Sequence, residues 1–153
     1  MRITIAAVGR LRDGPMLALY RDYVARLSWS VTLKEVEERR KLAPPERIAA
    51  ESRLLADALP DKATIVALDQ HGRSLSSEDF AARLGQWRDQ GAGDLAFVIG
   101  GADGLAPEWR RRAALVLSLG AMTWPHLLVR VMLSEQLFRA QAILSGHPYH
   151  RGA

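Results

Sequence analysis

Short apolar runs alternate with segments of helical periodicity along almost the whole chain. The apolar runs, which are typical of buried strands, cover residues 2–9, 30–37, 63–69, 94–101 and 115–118. The segments between them place apolar residues three and four positions apart and predict helices over 15–27, 46–59, 76–90, 107–115 and 126–144. This alternation predicts one α/β domain, in which a mostly parallel sheet is flanked by helices on both faces.

Two of the predicted helices have clear start signals. Ser76 precedes two acidic residues, Glu78 and Asp79, and is expected to cap the third helix. Pro44 and Pro45 come just before the second helix, where the fixed φ of proline suits the first turn.

The candidate ligand site follows from the sheet, because open α/β sheets bind ligands beyond the carboxyl ends of their strands. Three predicted strand exits qualify, at residues 68–72, 99–104 and 119–125. The second exit, VIGGADGL, has three glycines that let the backbone approach a ligand closely. It does not match the G-x-G-x-x-G fingerprint of dinucleotide-binding domains. A plain tight turn, with Asp103 capping the next segment, fits this loop equally well.

The third exit, SLGAMTWPH, is unusually small and apolar, with Ser118 and Thr123 as its polar side chains. A loop that faces water is normally hydrophilic. This loop is therefore expected either to be buried against another subunit or to line a pocket for a flat, uncharged group. Adenine is such a group, and backbone N–H and C=O groups would recognise its edge.

The last predicted helix is apolar around most of its circumference, which indicates burial on more than one side. Two interpretations remain open, a homodimer interface and a central core helix. Glu135 and Arg139 lie four residues apart with the acid first, which favours a salt bridge within the helix. Alternatively, Glu135 orients Arg139 toward a pocket.

The C-terminal tail, HPYHRGA, offers an aromatic ring, an imidazole and a guanidinium in the three residues Tyr149, His150 and Arg151. These groups suit an unstacked nucleobase and a phosphate better than they suit a core. A terminus with no role, which usually frays, is the alternative.

Composition sets broad limits on function. The 153 residues are 48% hydrophobic and 25% charged, as in ordinary globular proteins, and include no cysteine. Disulfides and thiolate metal sites are thereby excluded, and no metal site is predicted. The net charge of +4 permits an anionic partner such as RNA without requiring one. Neither a signal peptide nor a membrane-spanning run is recognisable, so we expect a cytoplasmic protein with no membrane partner.

Five segments together resemble the RlmH-type methyltransferases of the SPOUT superfamily: IAAVGRL, ALDQHGRSLSSEDFA, FVIGGADGL, LSLGAMTWPHLLVRVMLSEQLFRAQAI and HPYHR. The resemblance covers essentially the whole chain, so residues 1–153 are expected to form a single SPOUT domain. Residues 34–62 carry no motif. The resemblance implies methylation of N3 of a pseudouridine in helix 69 of 23S ribosomal RNA, on the assembled 70S ribosome. It also implies a homodimer and a C-terminal deep trefoil knot, a rare exception to normal chain connectivity.

The resemblance further assigns the cofactor S-adenosylmethionine to the three strand exits. The implied cofactor contacts are Leu68, Gly100, Leu119, Gly120, Ala121, Met122, Thr123 and Trp124. The implied substrate residues are Arg139, Tyr149, His150 and Arg151, with His126 nearby. By residue type, His150 is the candidate base for the N3 proton. Arg139 or Arg151 would stabilise the anionic nucleobase, and Tyr149 would stack on it or bond to it.

Two other functions remain open. One is a SPOUT methyltransferase that acts on transfer RNA, although such enzymes usually carry RNA-binding extensions and none is visible here. The other is a non-catalytic nucleotide-binding or ribosome-binding module, which would keep the loops but would not need the polar tail.

Overall fold

A computed structural model describes residues 1–152 and contains one five-stranded sheet whose strands all run parallel, in the order β2-β1-β4-β3-β5. The strands are β1 (Arg2–Val8), β2 (Ser30–Val36), β3 (Thr64–Ser74), β4 (Asp94–Ile99) and β5 (Leu115–Ser118). The helices are α1 (Pro15–Ala25), α2 (Pro44–Ala58), α3 (Ser77–Asp89), α4 (Glu108–Arg112) and α5 (His126–Ser145), and a 3₁₀ turn follows (Pro148–Gly152). The predicted α/β class and element order are confirmed.

The sheet is covered on both faces, as predicted. On one face, α1, α3 and α5 pack over side chains such as Ile5 and Phe97. On the other face, α2 and α4 pack through Leu55 and Trp109 against Ala6 and Val98. None of the helices among residues 1–152 has both the length and the apolar composition needed to cross a bilayer.

Most element boundaries agree with the periodicity to within two residues. Ser76 caps α3 as expected, because its hydroxyl accepts a hydrogen bond from the Asp79 amide at 3.0 Å. The second helix starts earlier than predicted, with Pro44 and Pro45 inside its first turn. The predicted helix over 107–115 is shorter and spans Glu108–Arg112.

The prediction that the third strand ends at residue 69 is wrong. Leu68 pairs with Leu117 of β5, the chain then bulges, and pairing resumes at Arg73, again with Leu117. Gly72 makes this return possible, because a Cβ there would lie 2.6 Å from the Val116 carbonyl oxygen. The first predicted strand exit, residues 68–72, is therefore a bulge within β3.

A buried arginine joins α5 to the carboxyl ends of β1 and β2. The Arg130 side chain has no exposed surface and donates to the carbonyl oxygens of Val8 and Gly9, both at 2.9 Å. Its third partner is the Glu35 carboxylate, at 2.8 Å. Burial lowers the pKa of Arg130, whereas the charge of Glu35 acts in the opposite direction. A buried charge is tolerated only when it is paired and hydrogen-bonded in this way.

Replacing Arg130 with methionine should therefore lower the free energy of unfolding by about 3 kcal/mol, because the Glu35 carboxylate and two carbonyls lose their donor. Urea denaturation measures the change. The matched control is Arg21→Met on the exposed side of α1, for which we expect a change within about 0.5 kcal/mol. Equal stability of the two variants would contradict this role for Arg130.

Candidate active site

The three predicted ligand segments meet where the bulge of β3 lies beside the carboxyl ends of β4 and β5, and they enclose a cavity of about 390 Å³, here called cavity A. Seven of the eight predicted cofactor residues line it: Leu68, Gly100, Leu119, Gly120, Met122, Thr123 and Trp124. Ala121 does not line the cavity, although its carbonyl oxygen accepts a hydrogen bond from Gln70 at 3.3 Å. Distant parts of the sequence thus meet in one place.

The glycine loop after β4 turns back sharply on itself. The Gly104 amide donates to the Gly101 carbonyl at 3.0 Å, and Gly104 has a positive φ of 83°. A Cβ on Gly100 would lie 2.7 Å from the backbone of Gly104, so the turn excludes any side chain there. Asp103 does not cap the next helix, because α4 starts at Glu108 with Pro107 at its N-cap position and no side-chain cap. The capping interpretation is therefore wrong.

The loop after β5 holds its shape through its own hydrogen bonds. The Ser118 hydroxyl accepts from the Gly120 amide at 3.1 Å and lies 3.0 Å from the Gln70 carbonyl oxygen. The Trp124 indole donates to the Leu119 carbonyl at 3.2 Å. This loop forms a wall of cavity A and leaves both Met122 and Trp124 exposed. The wall suits a flat apolar group.

Polar groups in cavity A include Asp69, which was not among the predicted site residues, and His126, which was expected near the substrate residues. Asp69 is nearly buried, and its carboxylate accepts from Arg110 at 3.0 Å and from the His71 amide at 2.8 Å. His126 lines the cavity from the first turn of α5, and burial together with the charge of Arg130 lowers its pKa. Both effects disfavour the charged form of His126.

The predicted substrate residues form a second cluster at the far end of α5. The Glu135 carboxylate accepts from Arg139 at 2.6 Å and from the Tyr149 hydroxyl at 3.1 Å, which confirms the salt bridge within the helix. Arg139 also donates to Nδ1 of His150 at 3.1 Å, and Nε2 of His150 lies 2.7 Å from Glu78. Since arginine only donates, Nδ1 carries no proton, and Nε2 must donate to Glu78.

The tail is packed against α5 and α1, not frayed. The Tyr149 ring contacts the ring of Phe138 edge-on, with centroids 4.7 Å apart, and its hydroxyl lies 3.4 Å from that of Tyr23. Burial raises the pKa of Tyr149, and hydrogen bonds to Tyr23 and Glu135 raise it further. Tyr149 therefore keeps its proton. Arg151 is exposed.

The two clusters do not meet within one chain. None of the four predicted substrate residues lines cavity A. His126 and Arg139 are thirteen residues apart on α5, which places them about 20 Å apart along the helix axis. One end of α5 thus borders cavity A, and the other end carries the tail cluster.

An apolar groove of about 550 Å³, here called groove B, lies between the two clusters. Tyr23, Phe80 and Met132 line it, and it shares Leu119 with cavity A and Glu135 with the tail cluster. No residue of α5 from 126 to 144 is exposed, so burial on several sides is confirmed for this helix.

Comparison with known proteins agrees with this architecture. The family model described as "Predicted SPOUT methyltransferase" matches residues 1–150. The chain belongs to the SPOUT methyltransferase family. It is 60% identical over 151 residues to the ribosomal RNA large subunit methyltransferase H of Rhodospirillum centenum, with 99% of each chain covered. It is 57% identical to the protein of the same name from Paramagnetospirillum magneticum, again with 99% of each chain covered.

Two solved structures with low sequence identity to this chain show the same fold. A probable methylase family protein from Haemophilus influenzae superposes with a TM-score of 0.56 at 12% identity, over 97% of this chain and 69% of the other. The SpoU methyltransferase AviRb from Streptomyces viridochromogenes, solved in complex with AdoMet, superposes with a TM-score of 0.50 at 14% identity. That match covers 92% of this chain and 58% of AviRb.

Some site residues of this SPOUT chain left a weak signal in the sequence. Asp69 directly follows an apolar strand, and Arg130 is a charged residue inside an apolar helix. Glu51 is a charged residue on the inner face of α2, next to Ala50 and one turn before Leu55, and it is buried. Charged residues at buried helical positions are rare unless they have a partner. A charged residue in an apolar helical face is therefore the sequence signal that could have identified Arg130 and Glu51.

Glu135 is the common acceptor of the tail cluster, so Glu135→Ala should loosen the tail without unfolding the domain. Hydrogen–deuterium exchange of the amides at 147–152 should become faster, because the Tyr149 and Arg139 contacts lose their shared carboxylate. Exchange in β4 should stay unchanged. Asp22→Ala, which removes an exposed salt bridge on α1, is the control. Unchanged tail protection in Glu135→Ala would contradict this role of Glu135.

Proposed function

We propose that this chain transfers a methyl group from S-adenosylmethionine to N3 of a pseudouridine in helix 69 of 23S ribosomal RNA, on the assembled 70S ribosome. The observation that carries the proposal is cavity A, which is built from the three loops expected to hold this cofactor. Close relatives named ribosomal RNA large subunit methyltransferase H support a ribosomal substrate. The AdoMet complex of AviRb, a protein of the same fold, supports the cofactor.

The residues of cavity A fit this cofactor. A volume of about 390 Å³ lies in the range of small-molecule sites. Leu119 and Trp124 offer apolar surface to an adenine ring, and the glycine loop brings backbone groups close to its edge. The Asp69 carboxylate is a hydrogen-bond acceptor suited to ribose hydroxyls. Bound S-adenosylmethionine supplies an electrophilic methyl group.

The tail cluster would handle the proton and the charge of the nucleobase. Arg139 stays cationic because its hydrogen bond to Glu135 raises its pKa, so it can stabilise the anion left when N3 loses its proton. His150 can accept that proton at Nδ1 only after Arg139 releases this atom. A single movement of Arg139 toward the nucleobase would therefore supply the stabilising charge and free the base. Tyr149, which keeps its proton, would stack or donate, and exposed Arg151 would contact phosphate.

We infer that the active form is a homodimer in which cavity A of one chain faces the tail of the other. The separation of the two clusters along α5 supports this arrangement, because a single chain cannot bring them together. Groove B and the exposed Met16 and Leu19 of α1 supply the apolar surface that a second copy would cover.

The trefoil knot of the SPOUT superfamily is also proposed for this chain. Membership of the SPOUT family and the tight approach of Gly72 to the backbone of β5 support it. Closely packed backbone segments are what a threaded chain requires, and glycine is the residue that allows them.

A net charge of +4 gives few phosphate contacts, so isolated RNA should bind weakly. The assembled ribosome, in the cytoplasm, would supply the remaining contacts.

The test is methyl transfer from labelled S-adenosylmethionine to unmodified 70S ribosomes, with free 50S subunits and transfer RNA in parallel and mass spectrometry to locate the methyl group. Label on a helix 69 pseudouridine in 70S ribosomes alone is the expected result. Label on transfer RNA would show that transfer RNA, and not ribosomal RNA, is the substrate. If the protein binds the cofactor but labels no RNA, a non-catalytic binding module would be favoured.

Removal of the residues after Gly146 should separate binding from chemistry. Gly146 ends α5 in the left-handed conformation and remains in the shortened chain, so the fold should persist. Cofactor affinity measured by calorimetry should stay the same, because no tail residue lines cavity A. Methyl transfer should fall by at least about a hundredfold, as expected for loss of acid–base and electrostatic groups. A shortened chain with full activity would contradict the role of the tail.

A further inference from the structure

A third cavity, here called cavity C, lies at the carboxyl edge of β1 and β2 and has a volume of about 420 Å³. The end of β1, the segment after β2, helix α2 and the glycine loop after β4 all contribute to its lining. It shares Gly101, Ala102, Asp103 and His126 with cavity A. The two cavities therefore border the same loop and the same histidine.

Glu51 of α2 lines cavity C and has an unsatisfied carboxylate. The residue is 6% exposed, and its Oε1 atom is buried without a hydrogen-bond partner among residues 1–152. Burial raises its pKa, Arg47 acts in the opposite direction, and Asp103 and Glu38 raise it further. A Cβ on Gly101 would lie 3.2 Å from one carboxylate oxygen and 3.4 Å from the other, so a side chain at residue 101 would crowd this carboxylate. Buried polar atoms without a partner are rare in proteins and need an explanation.

Other charged groups around cavity C are already engaged. The Glu38 carboxylate accepts from Arg40 at 2.9 Å, which lowers its pKa to about 2. Glu37 pairs with Arg10 at 3.3 Å and with Arg39, which also lines cavity C, at 3.7 Å. Arg47 donates to the carbonyl oxygens of Glu38 and Arg40, at 3.1 and 2.8 Å.

Two acidic groups facing cavity C are left over, Glu51 and Asp103, since Asp103 has no ion-pair partner in the described part of the chain. The unmet demand is therefore for positive charge and for hydrogen-bond donors. Across residues 1–152 no group of three or more His, Asp or Glu side chains is placed to hold a metal ion. An organic ammonium group meets the demand that remains.

We propose that cavity C binds the α-ammonium group of the amino-acid part of S-adenosylmethionine, with Glu51 as its buried acceptor and Asp103 as a second acidic group at the entrance. The inference rests on the proposed function and extends it, because a ligand whose adenosine occupies cavity A reaches cavity C along the shared glycine loop. Glu51 acts in binding the cofactor and takes no part in proton transfer. The zwitterionic end of the ligand thereby becomes a determinant of specificity.

Calorimetric titration with two ligands tests the proposal. S-adenosylhomocysteine carries the amino-acid group, whereas 5′-methylthioadenosine keeps the adenosine and sulfur but lacks that group. Glu51→Gln should lower the affinity for S-adenosylhomocysteine by at least about tenfold, which is the usual effect of losing one charged hydrogen-bond partner. It should leave the affinity for 5′-methylthioadenosine within about twofold. Decarboxylated S-adenosylmethionine retains the ammonium group but lacks the carboxylate. Glu51→Gln should lower the affinity for this ligand as strongly as it lowers the affinity for S-adenosylhomocysteine.

Two further variants serve as controls. Glu46→Gln changes an exposed carboxylate in the first turn of the same helix, and both ligands should bind it as they bind the wild type. Asp103→Asn alters an exposed loop residue and carries little risk of misfolding. This variant should lower the affinity for S-adenosylhomocysteine selectively, but by less than Glu51→Gln does. Thermal unfolding checks that the Glu51→Gln protein is folded.

The outcomes separate the inference from the proposed function. If the wild-type protein binds neither ligand, the proposed cofactor is wrong and the inference falls with it. If it binds both but Glu51→Gln and Asp103→Asn change the two affinities equally or not at all, the function stands and the ammonium site is refuted. Unchanged affinities with a large loss of methyl transfer would make Glu51 a group that acts on the substrate, which also contradicts the inference.

Discussion

The carboxyl edge of the sheet depends on the hydrogen bonds of one buried guanidinium. Arg130 joins the carbonyl oxygens of Val8 and Gly9 and the Glu35 carboxylate to the first turns of α5. This fixes His126 beside Gly9, where a Cβ would lie 3.1 Å from its Nε2 atom. The same histidine lines cavities A and C. The buried charge of Arg130 thus holds the start of α5 against the edge of the sheet where cavities A and C lie.

From that fixed start, α5 sets the distance between two kinds of chemistry. Its first turn borders the loops that suit an apolar ring, and its later turns hold a cationic arginine, a tyrosine that keeps its proton and a histidine whose Nδ1 is occupied. A SPOUT chain arranged in this way holds the two proposed parts of a methyl-transfer site apart. In the proposed homodimer, a second copy placed against groove B would join these parts and would also cover apolar surface.

Periodicity predicted the strands and helices because the strands are fully apolar and the helices repeat at three and four residues. It could not predict the return of β3 to β5 after residues 69–72, since that pairing depends on a glycine fitting against a strand more than 40 residues later. The loops of cavity A were predicted from their position at strand ends and from family resemblance. Arg130 and Glu51 were visible as charges in apolar helical faces, but the acidic partner of Arg130 is 95 residues away, and the buried Oε1 atom of Glu51 has no hydrogen-bond partner among residues 1–152. Long-range contacts of this kind leave no local pattern.

Co-expression of two defective chains tests whether one site is divided between two chains. One chain ends after Gly146 and lacks the tail, and the other carries Gly100→Ala, whose Cβ would displace the loop of cavity A. Different affinity tags allow the mixed dimer to be purified, and methyl transfer to 70S ribosomes is then measured. The account predicts that the mixed dimer is active while each variant alone is inactive, because the shortened chain supplies an intact cavity A and its partner supplies the tail. A correctly folded mixed dimer as inactive as its parents would show that each site is formed by a single chain.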